Sequence, residues 1–401
     1  MAIVLFLRSS FLFIVLILFA GFDLFCQDQA DTWIMEMQMP PDQYQNLKRK
    51  SAREFDFVPE TMSVNGIPLE VKEMHSRGKT TLQFWRKSYS VKLGNSFRFM
   101  GSPAKTMDHF YLISMSLDRY YYHNQLAFEC LSRLGLFPLW CHLTELKING
   151  ATEGLYLIVQ RPADYALKEL GSDAIIRRKS SEFIAKEKYG KEAGEEIRKK
   201  CRNNFNLIRK AGKHWSGAEL YDSLNTHLVL DHYFAWLSFN YFVQNGDYTD
   251  ELFYYLQPGS KSPLFEIIPW DFDDILVKNP HEGEDVRQVR LGDQLLFSSE
   301  DELDLLIARD SFLYIRYLEQ FDFVFDKLNP GALDDIFGQI KTRLKPYLVQ
   351  EEIVSVSQHD YRPVENWQAV YDHMDRMLRF LKDRWMKTRV EVKKQLRKYK
   401  K

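Results

Sequence analysis

The spacing of apolar and polar positions changes character part-way along this chain. From Trp33 to about Gln160 the apolar residues mostly alternate with polar ones, the rhythm of half-buried strands. "MSVNGIPLEVKEM" places an Asn-Gly pair, Asn65 and Gly66, between two such runs, and "LTELKINGATEGLYLIVQ" does the same with Asn149 and Gly150. Asn-Gly tolerates the left-handed backbone that two-residue hairpin turns require, so two hairpins are predicted. "SYSVKL" reads as a further strand, and "RYYYHNQLAFECLSRLG", Arg119 to Gly135, as a helix closed by glycine. From about Gly171 helical spacing takes over. "ELYDSLNTHLVLDHYFAWLSFNYFVQ", Glu219 to Gln244, predicts one long apolar helix or a helix pair. The strands "LFYYL" and "LFEIIPW" follow. Val370, Met374, Met377, Leu378, Leu381 and Trp385 then recur at steps of three and four, the core face of an amphipathic helix. The Lys-rich end "KKQLRKYKK" reads as a frayed tail.

The order of these elements predicts an α+β fold with a β-rich part at 31–170, containing one helix, and a mainly helical part at 171–401. Between them "IRRKSSEFIAKEKYGKEAGEEIRKKCRNNFNLIRK" is strongly charged, either a pair of solvated helices or a basic docking surface. With 45% hydrophobic residues the chain has ample material for a core, and 54 Lys and Arg against 55 Asp and Glu give no electrostatic case for a nucleic-acid partner. Arg8, the apolar run Phe11 to Phe22 and the polar exit "DLFCQDQADT" have the form of a secretory signal peptide spanning 1–26. The run is short of the roughly 20 residues that span a bilayer, although an anchor is the competing reading. A secreted, periplasmic or cell-surface protein is expected, with no stable membrane span once the signal is removed. Cys130, Cys141 and Cys201 then remain. Their odd number and spacing exclude a full disulfide framework and a CxxC zinc site, leaving buried thiols or a Cys130–Cys141 pair.

Candidate chemistry gathers at two places. In "EIIPWDFDDIL", Glu266 to Leu276, three carboxylates occupy four positions directly after a buried strand. If that strand continued, Asp271 and Asp273 would share a face with Phe272 opposite. Adjacent carboxylates repel unless a cation lies between them, which points to a metal. About twenty residues earlier, "FVQNGDYTDELFYYL" crowds Asn245, Asp247, Asp250 and Glu251 where an apolar helix gives way to a strand. A helix, a polar loop with one Asp, a strand pair and a second Asp form the layout of a phosphoryl-transfer site. One Asp accepts or orients the hydroxyl proton, and the other holds Mg2+ on the nucleotide phosphates. "HSRGKTTLQFWRKSYSVKL" supplies positive charge through Arg77, Lys79, Arg86, Lys87 and Lys92. Its "GKT" resembles a phosphate-binding loop, but Glu73 stands where that motif needs its first glycine.

Four segments in order, "SRGKTT…KSYSVKL", "LKINGATEGLYLIVQ", "NGDYTDELFYYL" and "IIPWDFD", resemble the CotH (spore-coat protein H) kinase family. Its members carry an "RGNSS…KSYKLKF"-like hairpin, an "ING…GLYLL.E" strand pair, an "N.D…N.YLY" loop and a "PWD.D" element. The resemblance runs from about Met35 to the final helices. It implies an atypical, protein-kinase-like bilobal fold, and ATP- and Mg2+- (or Mn2+-) dependent phosphorylation of Ser or Thr on a secreted or surface protein. Carried over residue by residue, Asp247 resembles the catalytic Asp and Asp271 the metal-binding Asp, with Asp273 its neighbour or second ligand. Arg77, Lys87 and Lys92 fall in the basic hairpin expected to face nucleotide phosphates. Arg178 and Lys179 fall near the strand that enters the second lobe. Three positions depart from the pattern. Glu251 replaces the loop Asn that would hold a second metal, Gln160 replaces the acid after "GLYLIV", and Lys79 replaces the Asn of the basic loop. Asp247 and Asp271 together favour a kinase, while Glu251 and Gln160 favour the alternative, a pseudokinase acting as a surface or assembly scaffold.

Overall fold

Thirteen strands are assigned in the computed structural model, which describes residues 32–49, 53–101, 103–180, 183–186, 190–259, 263–356 and 363–400. The proposed signal peptide, Cys26 included, lies outside the described residues. In chain order the strands are β1 Ile34–Gln38, β2 Asp56–Phe57, β3 Thr61–Val64, β4 Ile67–Pro68, β5 Val71–Arg77, β6 Ser88–Phe99, β7 Lys105–Ile113, β8 Cys141–Ile148, β9 Ala151–Gln160, β10 Ala174–Arg177, β11 Ile184–Ala185, β12 Leu252–Leu256 and β13 Phe265–Pro269. β1 to β9 form one sheet in the order β2-β5-β6-β7-β9-β8-β1-β3-β4, and the others a second sheet, β11-β10-β12-β13. Every pairing is antiparallel except β1 with β8.

Both Asn-Gly hairpins form as expected. Asn65 and Gly66 link β3 to β4 at φ of 49° and 76°, and Asn149 and Gly150 link β8 to β9 at 51° and 81°. Strand β9 shows how the large sheet is sandwiched. Leu155, Leu157 and Val159 join the helical core on one face, while Tyr156 and Ile158 join a second core with Tyr89 and Phe110 on the other. Alternate residues point to opposite faces, so a continuous apolar run means that both faces are covered.

The helix Leu230–Val243 lies at the centre of the helical core. Eleven of its fourteen residues are buried, as expected for a helix apolar on all sides. Of the two expectations for Glu219 to Gln244, one long helix or a pair, the pair forms, because Gly217–Asn225 is a separate helix before it. The second part of the charged insert forms a 21-residue helix, Gly190–Lys210, burying only Gly194, Cys201 and Ile208. The last helix, Trp367–Tyr399, carries Val370, Met374 and Leu381 buried against the core, with Met377, Leu378 and Trp385 packed beside them. One expectation fails here. The Lys-rich end is not frayed, because it stays helical to Tyr399, buries Gln395, and pairs Lys398 with Asp293 and Lys400 with Glu319. Cys130, Cys141 and Cys201 are free thiols, and burial pushes all three up, Cys201 to about 11 and Cys141 to about 12. Among the described residues no helix is long and apolar enough to cross a membrane.

Candidate functional site

The helix Leu230–Val243 ends when Gln244 turns left-handed at φ 51°. The following residues are then zipped to the loop after β13. Backbone N–H groups of Gly246, Leu276 and Val277 donate to the carbonyls of Asp274, Val243 and Gln244, at 2.8, 2.8 and 3.2 Å. Buried Asn245 ties the turn internally, donating to Asn240 Oδ1 at 3.0 Å and accepting the Asp247 N–H at 3.1 Å. The acid-bearing loop is also pinned to the β-rich part. Phe272 N–H donates to Asn124 Oδ1 at 2.9 Å, and its ring meets Phe128 and Phe239 edge-on. Two sequence-distant acidic segments are thus held as one unit.

The acids do not sit on a strand extension, as their alternation suggested. β13 stops at Pro269, and Asp271 adopts φ 49°. The burial order survives: Phe272 is buried, while Asp271 and Asp273 are half-buried. A left-handed aspartate costs about 1 kcal/mol and is held by its surroundings, here the Trp270 N–H donating to the Glu251 carbonyl at 3.0 Å just before it.

These segments line a cleft of about 510 Å³ whose other wall belongs to the large sheet. Asp247, Asp250, Glu251, Asp271 and Asp273 face it from one side; Arg77, Ser90, His109 and Tyr111 line it from strands of the large sheet, Lys79 and Arg161 from the segments just after β5 and β9, and Arg177 from β10. Arg77 lies 3.9 Å over the Tyr111 ring, and Arg161 stands 5.5 Å from the same ring. Arg161 also contacts His109 Nδ1 at 2.6 Å and Asp164 at 3.2 Å. Burial and Arg161 push His109 down to about 3, so its ring is neutral at neutral pH.

Of the expected phosphate-facing residues only Arg77 lines the cleft. Lys87 is buried and donates to the Leu82 carbonyl. Lys92 pairs in register with His109 on the neighbouring strand, and Lys179 is an exposed residue at φ 62° near Asp250. Arg177, unmentioned among the candidates, takes the cleft position instead. Its Nε donates to the Asp250 carbonyl at 2.9 Å and its guanidinium pairs with Glu251. Strand alternation explains the exchange, since the next residue, Arg178, turns to the opposite face and is buried against Asp301, Asp304 and Tyr233. That alternation in "IIRRK" was the available signal. Arg161, His109 and Tyr111 carried none, because only sheet pairing brings them together. Lys79, the departure from the family loop, reaches Asp250 at 3.2 Å. Gln160 is buried, accepts the Trp140 N–H and donates to Glu169. Glu169 pairs in turn with Lys105, and neither Gln160 nor Glu169 lines the cleft.

The carboxylates are not balanced by these cations. Burial and the neighbouring Asp271 push Glu251 up to about 9 against the pull of Arg177. Burial also raises Asp271, and burial with Asp271 and Asp274 raises Asp273 well above the ordinary range. Burial and the surrounding acids raise Asp247, opposed by His281. Asp250 is the exception, since Lys79, Arg177 and Lys179 hold it low despite burial. Glu251 Oε2 is buried with no hydrogen-bond partner. Among the described residues no three His, Cys, Asp or Glu side chains form a cage that would hold a metal alone. Mg2+ does not require such a cage, being commonly bound by one or two carboxylates with waters and substrate phosphates. The orphaned oxygen and the crowded acids fit that kind of cation.

The CotH kinase protein family matches residues 74–387, which contain every cleft residue named above. The chain belongs to the CotH kinase family. A curated relative is the inner spore coat protein H of Bacillus subtilis (strain 168), 23% identical over 341 residues, covering 77% of this CotH chain and 90% of that protein. Among solved structures, a Shewanella oneidensis MR-1 toxin–antitoxin complex of HipA, HipB and operator DNA matches at 13% identity and TM-score 0.30, covering 90% of this chain and 70% of that one. A score of that size carries no fold assignment.

Proposed function

We propose that this CotH-family chain is an exported protein kinase that transfers the γ-phosphoryl group of ATP, with Mg2+ or Mn2+, to Ser or Thr of a secreted or surface protein. In this reading the β-rich residues 31–170 and the mainly helical residues 171–401 act as the two lobes of an atypical kinase. One observation carries the proposal: crowded carboxylates, with proton affinities raised by burial and mutual repulsion, face arginines across a single cleft. A polyphosphate with a divalent cation answers both halves, because the cation relieves the acids and the phosphates occupy the arginines.

Asp271 and Asp273, with Glu251, would hold the cation, which when bound neutralises charge on the phosphate oxygens. Arg77, Arg161 and Arg177 would bind and orient the phosphates. Asp247 would accept a hydrogen bond from the acceptor hydroxyl and take its proton as the phosphoryl group leaves ATP. Its raised proton affinity brings it closer to neutrality, where a general base works best. The spore-coat setting of the Bacillus subtilis relative supports a surface location for this chain too.

The test is nucleotide-dependent stabilisation. ATP with Mg2+ at one hundred times its dissociation constant should stabilise the wild-type chain by about 2.7 kcal/mol. Asp271→Asn, chosen because Asn tolerates a positive φ, should lose most of that gain while the ligand-free melting temperature holds. Equal stabilisation of both proteins would remove Asp271 from the site.

A further inference from the structure

Two residues outside the family motifs, Asp274 and His281, hold the backbone that presents Asp247. Asp274 accepts the Gly246 N–H on its backbone carbonyl at 2.8 Å. Its carboxylate lies so close to Gly246 that a Cβ there would stand 2.4 Å from Asp274 Oδ2. The His281 N–H donates to the Gly246 carbonyl at 3.2 Å, so both polar groups of Gly246 are taken. The His281 ring then spans two carboxylates. Its Nε2 is 2.9 Å from Asp274 Oδ2 and its Nδ1 is 3.5 Å from Asp247 Oδ1.

The ring side chain is 52% exposed, so burial is not what fixes it there. His281 belongs to a short turn, closed by the Gly283 N–H donating to the Pro280 carbonyl at 3.0 Å. That turn sets the imidazole beside Asp247, which lines the cleft although His281 does not. The ring stands beside Oδ1 of Asp247, which leaves Oδ2 for an acceptor hydroxyl.

We infer that His281, braced by Asp274, is a positioning residue for Asp247, fixing the rotamer in which its carboxylate meets the acceptor hydroxyl. The inference rests on the proposed role of Asp247. Misplacing a reacting group by about 1 Å costs on the order of a hundredfold in rate.

The test uses the full mature chain and its phosphorylation of a Ser/Thr peptide mixture with Mg2+ and ATP. His281→Ala should lower kcat by about 10- to 100-fold, with KM for ATP within about twofold. The melting temperature should hold, because the side chain is half exposed. His281→Asn keeps a nitrogen where Nδ1 stands and should recover most of kcat, whereas His281→Gln, with its nitrogen at the Nε2 place, should recover less. An unchanged kcat in the Ala variant, or an Asn variant no better than Ala, overturns the inference. The Asp247 side-chain rotamer, read from crystal structures of both proteins, supplies a readout independent of turnover. Asp247 should hold one rotamer in the wild type and a different or mixed one in His281→Ala, while the backbone bonds of Gly246, which need no His281 side chain, stay as they are. If the wild-type chain transfers no phosphoryl group, the proposed function fails, and the rotamer alone decides the clamp: a changed or mixed rotamer supports it and an unchanged one overturns it.

Discussion

Replacing Glu251 by Gln should remove much of the pH dependence of stability in the absence of divalent cation. Burial and Asp271 first, then Asp250 and Asp247, raise the Glu251 carboxyl from its ordinary 4.5 to about 9, and Arg177 offsets this only in part. Between those values the unfolded chain has released the proton and the folded chain keeps it. Stability from this group is therefore complete below about 4.5 and drains away as pH rises towards 9. The slope is about 1.4 kcal/mol per pH unit, so from pH 6 to pH 8 the wild-type protein should lose about 3 kcal/mol that the Gln variant keeps. Urea denaturation at pH 6, 7 and 8 in the presence of a chelator measures it directly. A divalent cation displaces the proton, so wild-type affinity for Mn2+ alone should climb across the same interval. Stability curves that run parallel for the two proteins, with Mn2+ affinity independent of pH, would refute the charge imbalance on which the site is built.

Two further substitutions test the scaffold. Gly246→Ala should cost about 1–3 kcal/mol and depress turnover, because the new Cβ meets Asp274 Oδ2 at 2.4 Å and Val277 Cγ2 at 2.9 Å; a variant of wild-type melting temperature and activity would contradict that packing. Arg384→Ala should destabilise the chain by about 3 kcal/mol in urea denaturation. The half-buried guanidinium donates to the last carbonyls of the Leu230–Val243 helix, Phe242 at 2.8 Å and Tyr241 at 2.6 Å, and charge-assisted bonds of this kind are worth about 1.5–3 kcal/mol each.

Local patterns carried much of the fold. Asn65–Gly66 and Asn149–Gly150 announced their hairpins because the turn geometry depends on those two residues alone. The Val370–Trp385 stripe announced its face because helical spacing needs no partner. The acid pair was legible as a site and misplaced in conformation. Nothing within "PWDFDD" shows that β13 ends at Pro269, since Asp271 owes its left-handed backbone to the loop from Gly246 docked against it. The Lys-rich end failed for the same reason, its helix being held by Asp293 and Glu319, which are distant in sequence. The basic hairpin brings Arg77 to the cleft, but counting charges could not tell the buried Lys87 from the cleft-lining Arg177. His281 had no local signal at all, since its partners Asp247 and Asp274 meet only in the folded chain.

The most direct measurement of the central claim is transfer of labelled γ-phosphate from ATP, with Mg2+ or Mn2+, by the wild-type chain and its Asp247→Asn variant. The loop should keep its shape in the variant, because Asn has the same size and the Asp247 N–H still reaches Asn245 Oδ1. Wild-type protein should label itself or a Ser/Thr substrate, while the variant binds ATP with near-normal affinity and transfers at least about a hundredfold more slowly. Equal labelling by both proteins would make Asp247 a turn residue, and ATP binding without labelling by either would contradict the kinase.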